Sequence, residues 1–334
     1  MTTSAPSLTQ AVVPLDTGAH VTAIAFLKDV AAFALGDGGV ILFKDGAQHR
    51  TDAHPDGSIL VAAAQGERLV TGGDDGRLAV TGPDGSTRTF AETGGAWIDA
   101  LALHPNGSVA WSAGKRVTAR DDKGRERTLD ALSTVRGLCF APKGYRLAAA
   151  HYNGATLWFP NLEPEPERLE WKGSHLDVTW SPDGRFVVSS MQENSLHGWR
   201  LQPDKGHMRM SGYPAKTRSL SWSHDGKWLA TSGAEAAIIW PFDTKDGPMG
   251  KAPLELGTRG DTMATAVAFH PTEEILAIGY GDGMVMAVRV ADAKEVLLRR
   301  PGKGAITSMD WDREGRRIAF GAETGECGVI DVSG

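Results

Sequence analysis

Cysteine is scarce in this chain of 334 residues, with Cys139 and Cys327 the only two. Two thiols in distant apolar segments do not make a disulfide framework, and they read as small buried hydrophobes. Long apolar runs are missing as well, so no segment approaches the roughly 18 residues needed to cross a membrane as a helix. The N-terminus, MTTSAPSLTQAVVPLDTG, lacks the basic stretch and the apolar core of a signal peptide. The cytoplasm is therefore the expected compartment. Clustered positive charge is the next absence. The formal net charge is −6, and Arg299-Arg300 and Arg316-Arg317 are isolated pairs. Nucleic-acid binding without sequence preference needs a basic stripe that displaces counterions, so it is not expected.

Catalytic signatures are absent too. There is no amphipathic helical run, hence no helix N-terminus to hold a phosphate, and Gly36-Asp-Gly-Gly39 reads as a hairpin turn. The chain has no Gly-x-Ser-x-Gly elbow, no His-Glu-x-x-His and no Cys-x-x-Cys. These gaps remove the specific signals for an α/β-hydrolase, a nucleotide-phosphate loop and a zinc site.

What the chain does have is internal repetition. Asp177–Trp199 and Arg218–Trp240 both read as an apolar strand, a turn ending in Asp-Gly, a second apolar strand, a short turn and a third strand ending on Trp. First strands of this kind fall at 21–26, 58–64, 97–103, 135–140, 176–180, 218–222, 266–269 and 306–311. Their starts lie roughly 37 to 48 residues apart, the one-blade period of a β-propeller. Seven end on Phe26, Leu103, Phe140, Trp180, Trp222, Phe269 or Trp311, whereas the second copy has Ala64 there. Turns such as Ser181-Pro-Asp-Gly184 and His104-Pro-Asn-Gly107 pair a φ pre-set by proline with a glycine that supplies positive φ.

A weaker, polar fourth strand follows seven of the third strands, and the eighth copy ends at Gly334 without room for one. The missing strand is expected at 10–15, just before the first copy, where it would hide an open sheet edge. The expectation is one all-β domain over 1–334, a single closed propeller of eight four-stranded blades with its ring closed by the N-terminal strand. Seven blades are the runner-up, should the second or third copy be degenerate. Residues 1–8 are expected to be disordered and the ring to be a monomer.

The copies resemble WD40 repeats over almost the whole chain. The resemblance rests on Ser181-Pro-Asp-Gly184, on Gly73-Asp-Asp-Gly76, on the third-strand Trp158, Trp199 and Trp240, and on Gly18-Ala-His20 and Gly173-Ser-His175 before first strands. It implies a buried hydrogen-bonded set in each blade, made by the pre-strand His, a second-strand Ser or Thr, the turn Asp and the third-strand Trp. No copy carries the whole set. The fifth has His175, Ser189 or Ser190, and Trp199, but Glu193 at the turn. The first has His20 and Asp37 with Phe43 at the end, and the second has His54, Thr71 and Asp75 with Thr81. Turn acids such as Asp37, Asp75 and Asp282 read as hairpin-fixing groups.

A propeller presents loops before first strands and between second and third strands on one face, where function concentrates. The large or charged side chains there are Trp97, Asp99, Arg136, His175, Arg218, Arg259 and Asp261, and Trp and Arg are enriched at energetic hot spots. The loop 257–263 beside Arg218 marks the sixth-to-seventh sector as the preferred contact zone. The resemblance implies a non-catalytic platform for a protein or peptide partner, with no cofactor, no nucleic acid and no membrane. The alternative is a metal-binding or metal-dependent propeller with ligands among Asp99, His175, Asp177 and Asp261. The tract His207-Met-Arg-Met210 reads as a loop and an edge strand.

Overall fold

The computed structural model describes residues 7–163 and 165–333. Their regular structure is almost wholly antiparallel strand, apart from a 3-10 turn at Thr9–Ala11. The second copy shows how the sequence produces this. Ile59–Gln65 and Arg68–Gly73 pair across a turn in which Gly66 takes φ 63°. Arg77–Thr81 follows Gly76 at φ 76°, and Thr87–Glu92 follows Gly85 at φ 82°. Each reversal thus sits on a glycine in the left-handed region, which a side chain would strain.

The described strands form seven sheets, not the expected eight: six have four strands and one has six. The second and third copies, suspected of degeneracy, each make an ordinary four-stranded sheet. The count drops at the fourth and fifth copies instead. There Leu147–Trp158 and Glu167–Trp180 run on as strands of 12 and 14 residues and join both copies into the six-stranded sheet. The pair Tyr152↔Ser174 bridges the point where a break was expected, next to a register shift at Tyr152/Gly154.

The expected closure needs correction as well. Among the described residues strand ladders end at the sheet edges, so hydrogen bonds do not close a ring. What the N-terminal strand does is local. Val12–Asp16 is the outer strand of the sheet made by Ile306–Trp311, Arg317–Ala322 and Glu326–Asp331, with pairs running from Val12↔Ile330 to Asp16↔Glu326. Just before it, Ser7 makes a parallel bridge with Leu297. Residues 1–6, which carry most of the expected disorder, lie outside the described residues.

The chain divides into two compact units: residues up to Asp52 with Gly82–Ser86 and everything from Arg218 onward, and Ala53–Thr81 with Thr87–Thr217. In the first unit the first strands of the sixth, seventh, eighth and first copies pack side by side. Their edge N–H groups find side-chain acceptors on the preceding copy. Ser219 Oγ accepts from Val267 N (3.0 Å) and Ser221 Oγ from Phe269 N (2.9 Å). Ser308 Oγ accepts from Ile24 N (3.0 Å) and Asp310 Oδ2 from Phe26 N (3.1 Å). An edge N–H left without a partner would be costly, so short acceptors at these positions stabilise the strand-to-strand approach. Burial pushes the Asp310 carboxyl up to about 7.

In the second unit the first strands of the second to fifth copies pack in the same way. The approach is close enough to demand glycine. A Cβ on Gly72 would lie 2.6 Å from Ile98 Cγ2, and the same relation recurs in the first unit between Gly321 and Val21 at 2.5 Å. Two tryptophans at first-strand ends lock the contact with the preceding copy: Trp180 Nε1 donates to Cys139 O (3.1 Å), and in the first unit Trp311 Nε1 donates to Ala268 O (3.0 Å). Trp158, Trp199 and Trp240 are buried within their sheets.

Candidate protein-interaction face

The loops before first strands are tied to the turns between second and third strands. In the second unit Ala131 N donates to Lys115 O (2.9 Å) and Val135 N to Gly114 O (2.9 Å). Tyr152 N donates to Ser133 Oγ (2.9 Å), and Gly173 N to Asn153 Oδ1 (3.2 Å). These bonds satisfy loop backbone groups without strand pairing and hold the loops of neighbouring copies as one face.

Three of the sequence candidates come together there. Trp97 stands 63% exposed immediately before Ile98, which is fully buried. Two residues on, Asp99 is joined to Arg136 of the next copy by a charged hydrogen bond. The Asp99 side chain is only 15% exposed and that of Arg136 52%. Asp99 therefore sits beneath the guanidinium, and its desolvation raises the carboxyl pKa against the opposing pull of Arg136.

His175 is not on the face. It is fully buried, with Nδ1 at 2.6 Å from Ser189 Oγ and Nε2 at 3.0 Å from Trp171 O. Burial lowers its pKa. It fills the structural place that the WD40 resemblance implies, except that Glu193 accepts from Ser174 N rather than reaching the imidazole. The second copy, the weakest in sequence, builds the most complete set. His54 Nδ1 lies 3.0 Å from Asp75 Oδ1 and His54 Nε2 lies 2.9 Å from Thr71 Oγ1. In the first copy His20 is exposed instead.

In the first unit, Arg259 is held by Glu295 (3.1 Å) and by the sulfur of Met286, with the Tyr280 ring 5.8 Å from its guanidinium. It works as an anchor for loop 257–263. Arg218 and Asp261 are exposed. Of the metal candidates, Asp99 is taken by Arg136 and His175 by Ser189 and Trp171. Asp177 is exposed and accepts from Val178 N (2.8 Å). Among the described residues no group of three or more His, Cys, Asp or Glu side chains is placed to hold a metal ion.

Two residues of the face escaped the sequence reading, Leu132 at 59% and Tyr152 at 57% exposure. The available signal was position: an apolar Leu132 within the polar loop after Asp130, and Tyr152 at the tip of a hairpin. Two histidines of first-hairpin turns bridge to the next copy. His104 Nε2 lies 3.1 Å from Gly144 O, and His270 Nε2 lies 3.0 Å from Gly315 O.

Beneath the fifth-copy loops, His197 is fully buried and stacked on Trp171 (4.0 Å, 14°), with His207 5.5 Å away at 26°. Neither ring nitrogen has a hydrogen-bond partner among the described residues. Burial first, then the positive fields of His175, His207 and Arg209, push its pKa down to about 3. The unfolded chain takes up this proton near pH 6.5 and the folded chain refuses it, so stability falls as the pH drops below about 6.5. By pH 5 the loss is about 2 kcal/mol. Thermal melts at pH 7.5 and 5.0 test this. H197F is expected to flatten the pH dependence, and an identical pH response in wild type and variant would remove His197 from the account. His207, Met208 and Met210 lie on the outer strand Gly206–Met210, with both methionines buried.

Comparison with known proteins places this architecture. Residues 267–334 match the model of the anaphase-promoting complex subunit 4 WD40 domain, and residues 205–240 match that of the WD domain, G-beta repeat. WD repeat-containing protein 55 of Bos taurus is 27% identical over 207 residues, covering 59% of this chain and 52% of that protein. The Homo sapiens protein of the same name is 25% identical over 207 residues, with the same coverage of 59% and 52%. The match spans about half the length of these curated relatives. Among solved structures, the C-terminal WD40 domain of Sif2 superposes with a TM-score of 0.77 at 13% identity, covering 98% of this chain and 99% of that one. The computationally designed Ika8 protein gives 0.77 at 18% identity, covering 95% and 98%. With repeated four-stranded sheets, first-strand edges packed on one another and a His–Thr–Asp set at the predicted place, the chain is similar to WD40-repeat β-propeller proteins in both sequence and fold.

Proposed function

We propose that this chain is a non-catalytic protein-interaction platform that engages a protein or peptide partner through its loop face. The observation that carries the reading is Trp97, a large indole 63% exposed on loops whose backbone is tied down. Aromatic side chains on rigid supports concentrate binding free energy, because little conformational freedom is lost when they are covered. The WD repeat relatives support a scaffold role in general terms. The candidate side chains do not assemble into an acid–base pair or a nucleophile with its base: Asp99 serves Arg136, and His175 serves Ser189.

The test is an affinity pull-down from native lysate with quantitative mass spectrometry, wild type beside a double charge reversal, R136E with R218E. Both arginines are exposed, so the fold is expected to survive and a melting curve checks that it does. A partner captured by wild type and lost by the variant supports the platform. Retention of every partner by a folded variant counts against it.

A further inference from the structure

We propose that the face of the third and fourth copies binds an acidic peptide segment that carries large apolar side chains. This rests on the platform reading above and moves the contact zone from the sixth-to-seventh sector, which the sequence favoured, to a different part of the chain. The apolar component is three exposed side chains on adjoining segments. Trp97 precedes the strand Ile98–Leu103, Leu132 precedes Gly137–Phe140, and Tyr152 lies midway along Leu147–Trp158. They are 63%, 59% and 57% exposed, while Ile98 and Val135 beside them are fully buried. The bond from Tyr152 N to Ser133 Oγ joins two of these segments, and the Asp99–Arg136 ion pair joins the strand after Trp97 to the strand after Leu132. Isolated exposed hydrophobics are ordinary on a protein surface. Three on linked, pinned segments are what a partner's apolar side chains would cover.

Charge selects the partner. Asp99 is covered by Arg136, so an approaching chain meets the guanidinium rather than the carboxylate. Asp130 is paired with Arg116 (3.1 Å) and also lies in the field of Lys115. Glu92 faces Arg77 at 4.0 Å. Each of these three acids already has a cation beside it. An acidic segment would place its carboxylates on Arg136 and Lys115, whereas a basic segment would meet like charge at both. The same sector lacks the run of cations that a nucleic-acid backbone requires.

The experiment selects binders from a phage-displayed random peptide library on the immobilised full chain. The most enriched peptides are then synthesised and their affinities measured for wild type, W97A, Y152S and R136Q. R136Q keeps a hydrogen-bond donor for Asp99 and removes the charge. The expected result is enrichment of Asp and Glu around Trp, Phe or Leu, with affinity falling about tenfold or more in W97A and R136Q and melting curves unchanged. Acidic peptides whose binding survives W97A and R136Q overturn this inference and leave the platform reading standing on another face. Enrichment of basic or neutral peptides, or of none, overturns it as well, and the pull-down then decides the platform reading by itself. Self-association in sedimentation experiments, or binding of a single-stranded oligonucleotide, that is lost in W97A while no acidic peptide binds would assign the face to a second copy or to nucleic acid and overturn it.

Discussion

Removing the residues before Thr17 lowers the melting temperature by about 10 °C or leaves the protein aggregated. The strand Val12–Asp16 pairs at five positions with Glu326–Asp331, and its loss bares that strand's outer edge. Leu8, Ala11 and Val12 pack on the cluster that includes Ile318, Phe320 and Ile330, and Leu15 packs on the cluster that includes Cys327 and Val329. If about 200 Å² of apolar surface returns to water, the loss is about 5 kcal/mol. At about 2 °C per kcal/mol for a chain of this size, that gives the stated shift. The exposed edge, with Cys327, Val329 and Ile330 in it, is a template for pairing with another molecule. Differential scanning calorimetry with size-exclusion chromatography measures both effects. A truncated protein that melts where the full chain does would mean this strand contributes little beyond covering an edge.

The second large effect is expected at His54. Its ring is fully buried and holds Thr71 on one nitrogen and Asp75 on the other. H54A leaves the Asp75 carboxylate, whose side chain is only 7% exposed, without its main partner, and leaves the Thr71 hydroxyl unpaired. Orphaning a buried acceptor and a buried hydroxyl together costs about 3 kcal/mol. T71V, which removes one bond and keeps the shape, is expected to cost about 1 kcal/mol. H20A in the first copy, where the ring is exposed, should stay within about 0.5 kcal/mol of wild type. Urea unfolding of the three variants gives the comparison. Equal losses for H54A and H20A would show that the set in the second copy is not a structural keystone.

The contrast between His54 and His20 marks how far the sequence could be read. Strand order, turn glycines and the outer position of the N-terminal strand are all written in local patterns: alternating apolar residues and Asp-Gly or Asn-Gly reversals. Those signals act over a few residues and survive without the rest of the chain. The sheet count is not of that kind. Tyr152-Asn153-Gly154 looks like any other hairpin tip, and Gly173-Ser-His175 like any other entry to a first strand. The two are joined because Glu167–Trp180 continues past the Tyr152–Ser174 pair into the next copy, and pairing between segments about twenty residues apart leaves no mark in either one alone. The face was partly legible for a related reason. Residue type identified Trp97 and Arg136, but side-chain direction decided that His175 and Arg259 turn inward to fixed partners. Leu132 and Tyr152 went unseen because an apolar residue in a loop has no periodicity to betray which way it points.

The six-stranded sheet has a consequence for how such a chain can change length. Where sheets are separate, a copy is a module: a duplication or excision between two of them disturbs side-chain packing but severs no ladder. The fourth and fifth copies are not separable in that way, because Glu167–Trp180 is at once the outer strand of the fourth and the first strand of the fifth. A cut within Glu167–Trp180 would break a strand that serves two copies at once. For any scheme that adds, removes or transplants copies, the indivisible piece at this point is the pair, and the seams for such surgery lie elsewhere in the chain.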